Sequence, residues 1–266
     1  MGGLYKVSAK MLANRLRIVI GNVISEIQSA FVKGRQILDG ILVVNKVVDE
    51  AKKLKKNLLL FKVDFVKKCD SVDWNFLDDV MCKMSFPRLW RKWMKECVTT
   101  ATTTILVNVS LIEEFSLARG LKQGDPLLPF LFLLAVEGFH VMMETMVNNN
   151  IFTGYQVGRE RSLSISHLQF VDDTLILGNK SWANVRVMQS VLHLFATMSD
   201  HKVNFHKSEL VGVNVNRSWL LEATEVLNCR VVPLLIVYLG LPVGDDFRRL
   251  KFWEPVSMHI KSPLSS

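Results

Sequence analysis

The stretch "SHLQFVDDTLILGN", residues 166–179, sets two carboxylates, Asp172 and Asp173, side by side between two apolar runs. Leu168 and Phe170 alternate with His167 and Gln169, a period of two that specifies a strand, and a second β-rich run begins at Thr174. The pattern predicts a hairpin with both aspartates at its tip. Asn-Gly would make a tight turn more readily, and adjacent carboxylates repel. Two acids there point to a cation. A hard divalent ion such as Mg²⁺ takes carboxylate oxygens, keeps several waters and is often completed by substrate phosphates. The alternative is an ordinary solvated turn, and the pair alone does not decide between them.

A third carboxylate would permit two ions about 3.5–4 Å apart, stabilising the attacking and leaving oxygens of an in-line displacement. Upstream, "LFKVDF" (60–65) alternates Phe61, Val63 and Phe65 with Lys62 and Asp64, so a strand would bury the first set and present Asp64 on its other face. Asp64 is the natural third ligand. Asp70, Asp73, Asp78 and Asp79 follow closely and are assigned mostly to helix caps and a solvated helix face.

Around these strands, Ile37, Ile41, Val44 and Val48 recur at helical spacing, as do Trp74, Leu77, Met81 and Met84 before Pro87, and Val185, Met188, Leu192 and Phe195. "TTTILVNVSLIEEFSL" reads as two short strands turning near Asn108 to Ser110, and "KVNFHKSELVGV" and "LIVYLGLPVG" as further strand-like stretches. The mixture indicates an α+β fold, with helices packed on a largely antiparallel sheet. No repeat, low-complexity linker or domain boundary stands out.

The 266 residues leave room for a real core, and 33 Lys and Arg against 25 Asp and Glu give a net charge of +8. That excess favours a polyanionic partner, nucleic acid first. The apolar run "PLLPFLFLLAV" is broken by Glu137 and reads as buried protein rather than a bilayer span, so no membrane is expected. No secretory signal is evident, and Cys69, Cys82, Cys97 and Cys229 have neither CxxC nor zinc-site spacing. This suits a reducing compartment.

Taken in order, several blocks resemble the reverse transcriptases of LINE-type, non-LTR retrotransposons, most closely those of plants. "FKVDFVKKCDSVDWNFLDDVM" looks like the first catalytic block, "GLKQGDPLLPFLFLLAVEG" like the template- and nucleotide-contacting block, and "HLQFVDDTLILG" like the Asp-Asp block. "KVNFHKSELVGVN" is similar to the following lysine-bearing block, "YLGLPVG" to the primer-gripping hairpin, and residues 5–51 to part of the fingers.

The resemblance implies a right-hand polymerase palm with partial fingers and no thumb, residues 1–246 forming the domain and 247–266 a truncated tail. It assigns Asp64, Asp172 and Asp173 to two Mg²⁺ ions, with Mn²⁺ as a substitute, and Lys207 to the leaving pyrophosphate. Phe65, Cys69, Gln123 and Gly124 would contact the substrate, and Tyr238, Leu239 and Gly240 would grip the primer. Lys33 and Arg35 are candidates for template phosphates. The implied partners are an RNA template, a DNA primer and deoxynucleoside triphosphates, and the implied setting is intracellular, the nucleus included.

The sequence departs from the family at Val66, Lys67, Lys68 and Cys69, where Glu-Lys-Ala and an aromatic are usual; at Leu128, usually Ser; and at Asp200, usually Gly. The small Cys69 side chain in place of the aromatic predicts weaker exclusion of ribonucleotides. With these departures the expected activity is weak or absent in this chain, and the competing reading is a non-catalytic relic or domesticated nucleic-acid-binding module.

Overall fold

The computed structural model describes residues 3–66, 69–100, 102–103, 106–107, 110–111, 115–116, 118–158, 163–234, 236–244 and 253. Residues 67 and 68, and nearly all of the expected tail after 246, lie outside them.

The chain begins with helices α1 (Gly3–Val23) and α2 (Ile37–Leu54), then strand β1 (Leu58–Val63), a 3₁₀ turn (Cys69–Ser71), α3 (Trp74–Lys83) and α4 (Arg88–Thr99). Short strands β2 (Thr102–Thr103), β3 (Leu106–Val107), β4 (Ser110–Leu111) and β5 (Phe115–Ser116) precede α5 (Leu128–Asn148). Next come β6 (Tyr155–Val157), β7 (Leu163–Ile165), β8 (His167–Phe170), β9 (Asp173–Gly178) and α6 (Trp182–Ser199). The last elements are β10 (Glu209–Val213), α7 (Arg217–Leu227), β11 (Arg230–Val231), β12 (Ile236–Tyr238) and β13 (Leu241–Val243).

The main sheet has the order β11-β10-β1-β9-β8 and is antiparallel except between β10 and β11. β1 lies at its centre with apolar cores on both faces, which explains the unbroken run Leu58 to Phe61. Leu59, Phe61 and Val63 pack with α3, α5 and α6 residues; Leu58 and Leu60 pack with Ile41, Val44 and Val48 of α2 and with the β12–β13 hairpin. The expected α2 stripe is therefore the buried face, except Ile37, which opens the helix and is 38% exposed.

α5 is long and apolar enough, by length and composition, to cross a membrane, yet residues 130–139 are buried inside the protein. It continues through Glu137 because that carboxylate accepts the backbone N–H (3.0 Å) and hydroxyl (3.3 Å) of Ser25. Burial still pushes the Glu137 carboxyl above its ordinary pKa.

Two helices are added and three local readings change. α4 and α7, not singled out from sequence, do carry apolar residues at helical spacing: in α4 Leu89, Trp90, Trp93, Met94, Cys97 and Val98, of which only Met94 and Val98 are buried. In "KVNFHKSELVGV" only the second half is a strand. The stretch that periodicity reads as one final strand is a hairpin, β12 and β13, as the resemblance of "YLGLPVG" implies. At the hairpin that carries the paired aspartates, Phe170 pairs with Asp173, so the tip is Val171 and Asp172, and Asp173 already belongs to β9.

Candidate active site

β1 and β9 run antiparallel with Val63 opposite Thr174, and one further step of that register sets Asp64 opposite Asp173. Side chains alternate, so Asp64 shares a face with Leu60 and Lys62, and Asp173 shares the same face with Leu175 and Leu177. Direct cross-strand neighbours have Cβ atoms about 4.5–5.5 Å apart. Asp172 sits one residue earlier, on the turn, and is 8% exposed.

The backbone of Asp64 is fixed from below. Its N–H donates to the Ser208 hydroxyl (3.1 Å), and its carbonyl accepts the Asn204 N–H (2.7 Å). The Ser208 hydroxyl in turn donates to the Asn204 carbonyl (2.9 Å), and Val66 N–H donates to the Lys202 carbonyl (2.8 Å). The loop from Lys202 to Ser208 thus continues the sheet beyond β1. It carries the exposed Lys207 into the neighbourhood of Asp64.

Val171, at the hairpin tip, has φ +55°, a left-handed conformation that β-branched residues avoid. The buried Gln28 side chain accepts the Val171 N–H (3.0 Å) and donates to the Val171 carbonyl (3.3 Å). Sequence reasoning missed Gln28, since nothing local marks a contact with residue 171.

On the other side of Asp173 stands the β12–β13 hairpin. Leu239 and Gly240 both have positive φ, +54° and +80°, as a type I′ turn requires. The buried Tyr238 hydroxyl donates to the Asp173 carbonyl (3.3 Å), and the Lys62 ammonium donates to the Val237 carbonyl (2.8 Å). Burial, with the Asp173 charge second, raises the Tyr238 pKa. The structure therefore brings Asp64, Asp172, Asp173 and Tyr238 to Gly240 to one end of the sheet, with Lys207 on the adjoining loop.

Gln123 and Gly124 are exposed on a turn closed by the Asp125 N–H and the Lys122 carbonyl (3.2 Å), with Gly124 at φ +81°. This loop is anchored by the Trp74 indole on the Gly120 carbonyl (2.8 Å), by Gly120 N–H on the Val72 carbonyl (2.9 Å), and by Tyr5, whose hydroxyl bonds Asp125. Burial and the Asp125 carboxylate raise the Tyr5 pKa.

Two sequence assignments are corrected. Phe65 is 6% exposed and its ring packs on Phe195 (centroids 6.0 Å) and His201 (4.9 Å), so the side chain belongs to the core, while its backbone bridges to Val203. The Arg35 guanidinium donates to the carbonyls of Gly21, Ile24, Ser25 and Gln28, which makes it a structural brace and not a phosphate contact. Lys33 is exposed. The backbone of Cys69 lies in the 3₁₀ turn, and its side chain is outside the described residues.

A groove of about 510 Å³ between α1 and the start of α5, lined by Lys10, Asn14, Arg17, Phe31 and Phe130, was also missed. Its residues come from distant segments and share no motif.

Among the described residues no three His, Cys, Asp or Glu side chains converge closely enough to form a metal cage as they stand. The donor chemistry nevertheless fits Mg²⁺. Carboxylate oxygens are its preferred protein ligands, and sites built on one or two carboxylates are completed by water and substrate phosphates.

An antiparallel palm sheet with a hairpin carrying acidic residues beside a strand-end carboxylate is the architecture of a right-hand polymerase. The profile of the reverse transcriptase (RNA-dependent DNA polymerase) family matches residues 1–243, and this chain belongs to that family. It is 24% identical over 253 residues to a 149 kDa protein of transposon TX1 from Xenopus laevis, covering 93% of this chain and 19% of that protein. It is 25% identical over 254 residues to a Pol polyprotein of the retrotransposable element R2 from Popillia japonica, covering 94% of this chain and 33% of the relative. Both relatives are proteins of transposable elements. This chain thus spans at most a third of either relative. The fold matches telomerase from Candida albicans, solved with a fragment of telomeric RNA, at TM-score 0.58 and 11% identity over 93% of this chain and 40% of that one.

Proposed function

We propose that this chain extends a DNA primer on an RNA template by nucleotidyl transfer at Asp64, Asp172 and Asp173, and that it derives from a plant LINE-type element. The observation that carries the catalytic reading is the β1–β9 register, which sets Asp64 opposite Asp173 with Asp172 on the adjoining turn. The block order and motif wording support the plant assignment.

Bound at these carboxylates, two divalent ions would activate the primer 3′-hydroxyl and neutralise the triphosphate. Asp64 and Asp173 supply facing oxygens, and Asp172 adds a third from the turn. Lys207 places a positive charge or a proton donor toward the departing pyrophosphate. The Tyr238 to Gly240 hairpin, bonded to the Asp173 backbone, holds the primer end beside the acids. Gln123 and Gly124 face the incoming nucleotide and template; exposure and the open space around Gly124 suit a backbone that a substrate approaches. Lys10 and Arg17, beside Phe31, offer the groove surface for template phosphates and base stacking. Cys69 is smaller than the usual aromatic, and side-chain size alone argues for weaker exclusion of ribonucleotides. Cys69→Tyr should therefore lower ribonucleotide incorporation, and equal incorporation by both forms contradicts that role.

Lys68 and Cys69, in place of the small residue and the aromatic usual in the family, favour a second reading, a nucleic-acid-binding module without turnover. Thermal melting across millimolar Mg²⁺ separates the two. A rise in the melting temperature that Asp172→Asn abolishes supports the metal site; identical melting of both proteins removes it.

A further inference from the structure

We infer that Gln28 is a positioning residue: its amide holds Val171 in the left-handed conformation that aims Asp172 and Asp173. The inference rests on the metal-holding role proposed for those aspartates. In this two-residue hairpin loop the positive φ, +55°, falls on Val171 and not on Asp172, which is the type II′ pattern. That first position ordinarily takes glycine, and a valine there is a conformational outlier. Such a backbone persists only where its surroundings over-determine it.

Gln28 supplies that determination. Its Oε1 accepts the N–H of Val171 and of Ala30, both at 3.0 Å, while its Nε2 donates to the Val171 carbonyl at 3.3 Å. One amide thus satisfies both polar groups of the strained residue. At 1% exposure, Gln28 excludes water from the same task. A carboxylate would lack the donor and would set a buried negative charge beside the acids.

Gln28 is itself held in place. The Ile27 carbonyl and Ser29 N–H pair with the backbone of Gln169, at 3.3 and 3.2 Å, on the free edge of β8. Arg35 fixes the Ser25 and Gln28 carbonyls from the opposite side, and also reaches Ile24 (3.2 Å) and Gly21 (3.3 Å) at the end of α1. The segment after α1 is therefore a strut running from that helix to the turn that carries the acids.

The test uses the full chain with Gln28→Met, which keeps the length and removes both polar atoms, and Gln28→Met combined with Val171→Gly as the rescue. Mn²⁺ binding, read by water-proton relaxation, should weaken about tenfold in Gln28→Met, the scale of one or two lost hydrogen bonds. Glycine should recover most of the loss, because it adopts φ +55° without the clamp. Equal Mn²⁺ affinity in Gln28→Met and the unaltered chain overturns the inference, as does a loss that glycine leaves in place. Hydrogen exchange of the metal-free protein is the second readout. Exchange across residues 167–175 should accelerate about tenfold in Gln28→Met while α6 stays unchanged. If the unaltered chain binds no Mn²⁺, the metal reading falls, and the exchange result alone then upholds or overturns the clamp. Should Gln28→Met fail to fold, Gln28→Asn, one methylene too short to reach Val171, carries the same expectations and the same contradicting results.

Discussion

Gly120 has φ +84°, and a Cβ built there would lie 2.5 Å from the Asp70 carbonyl oxygen. That oxygen belongs to backbone and cannot swing aside. Gly120→Ala should therefore destabilise the fold by about 2–4 kcal/mol, measured by urea denaturation, and a change under about 0.5 kcal/mol would contradict the close approach. His167 makes a different kind of statement. It is wholly buried on β8, bonded to Ser166 (2.9 Å) and His140 (3.1 Å), and its pKa is pushed down to about 3, by burial first and by His140 second. Glu137 and Glu144 lie on the far side of His140. A depressed histidine stabilises the fold fully above its unfolded pKa of about 6.5, and that stability is lost as pH falls toward the folded value. Over that range the unfolded chain binds the extra proton. His167→Leu should flatten the stability curve between about pH 6 and 4, by up to about 1.4 kcal/mol per pH unit. An unchanged slope would mean that His167 is protonated in the fold.

Between elements, the link that matters most for the site joins the β12–β13 hairpin to β9. Tyr238→Phe removes only the hydroxyl that donates to the Asp173 carbonyl, and should cost about 0.5–1.5 kcal/mol in urea denaturation. No loss would show that packing alone seats the hairpin. Sequence periodicity revealed β1, α2, α3, α6 and the hairpin that carries the paired aspartates because each buries one regular stripe or alternates cleanly. It left out α4, although Leu89, Trp90, Trp93, Met94, Cys97 and Val98 recur there at helical spacing; the fold buries only Met94 and Val98 of that stripe and leaves Leu89 and Trp93 exposed. It also merged the loop from Lys202 to Ser208 into a strand, because Val203 and Phe205 alternate like strand residues while packing against the core from an irregular backbone. The acids were readable from their type and spacing. Gln28 was not, because a side chain that clamps a turn 143 residues away leaves no local pattern. Phe65 and Arg35 misled for a related reason: residue type fits a substrate or phosphate role, but three-dimensional neighbours had already claimed both side chains. Asp200, where the family usually has Gly, takes the left-handed position that ends α6, at φ +56°, and turns its carboxylate to Arg119.

At the scale of the molecule, the proposed RNA template together with the net charge of +8 and the groove carrying Lys10 and Arg17 predicts affinity for single-stranded RNA that falls linearly with salt on logarithmic axes. Replacing both residues by alanine should reduce the magnitude of that slope by roughly 1 to 2, whatever the RNA sequence. An unchanged slope would place the template elsewhere on the surface. The account as a whole depends on the acids that the sheet brings together at its end. Its most direct test is extension of a DNA primer on an RNA template with Mg²⁺ and deoxynucleoside triphosphates, comparing the chain with its Asp172→Asn/Asp173→Asn variant. Extension by the unaltered chain that falls to background in the variant is the expected result; equal extension by both, or none from a folded chain that binds the RNA, would contradict catalysis at these aspartates.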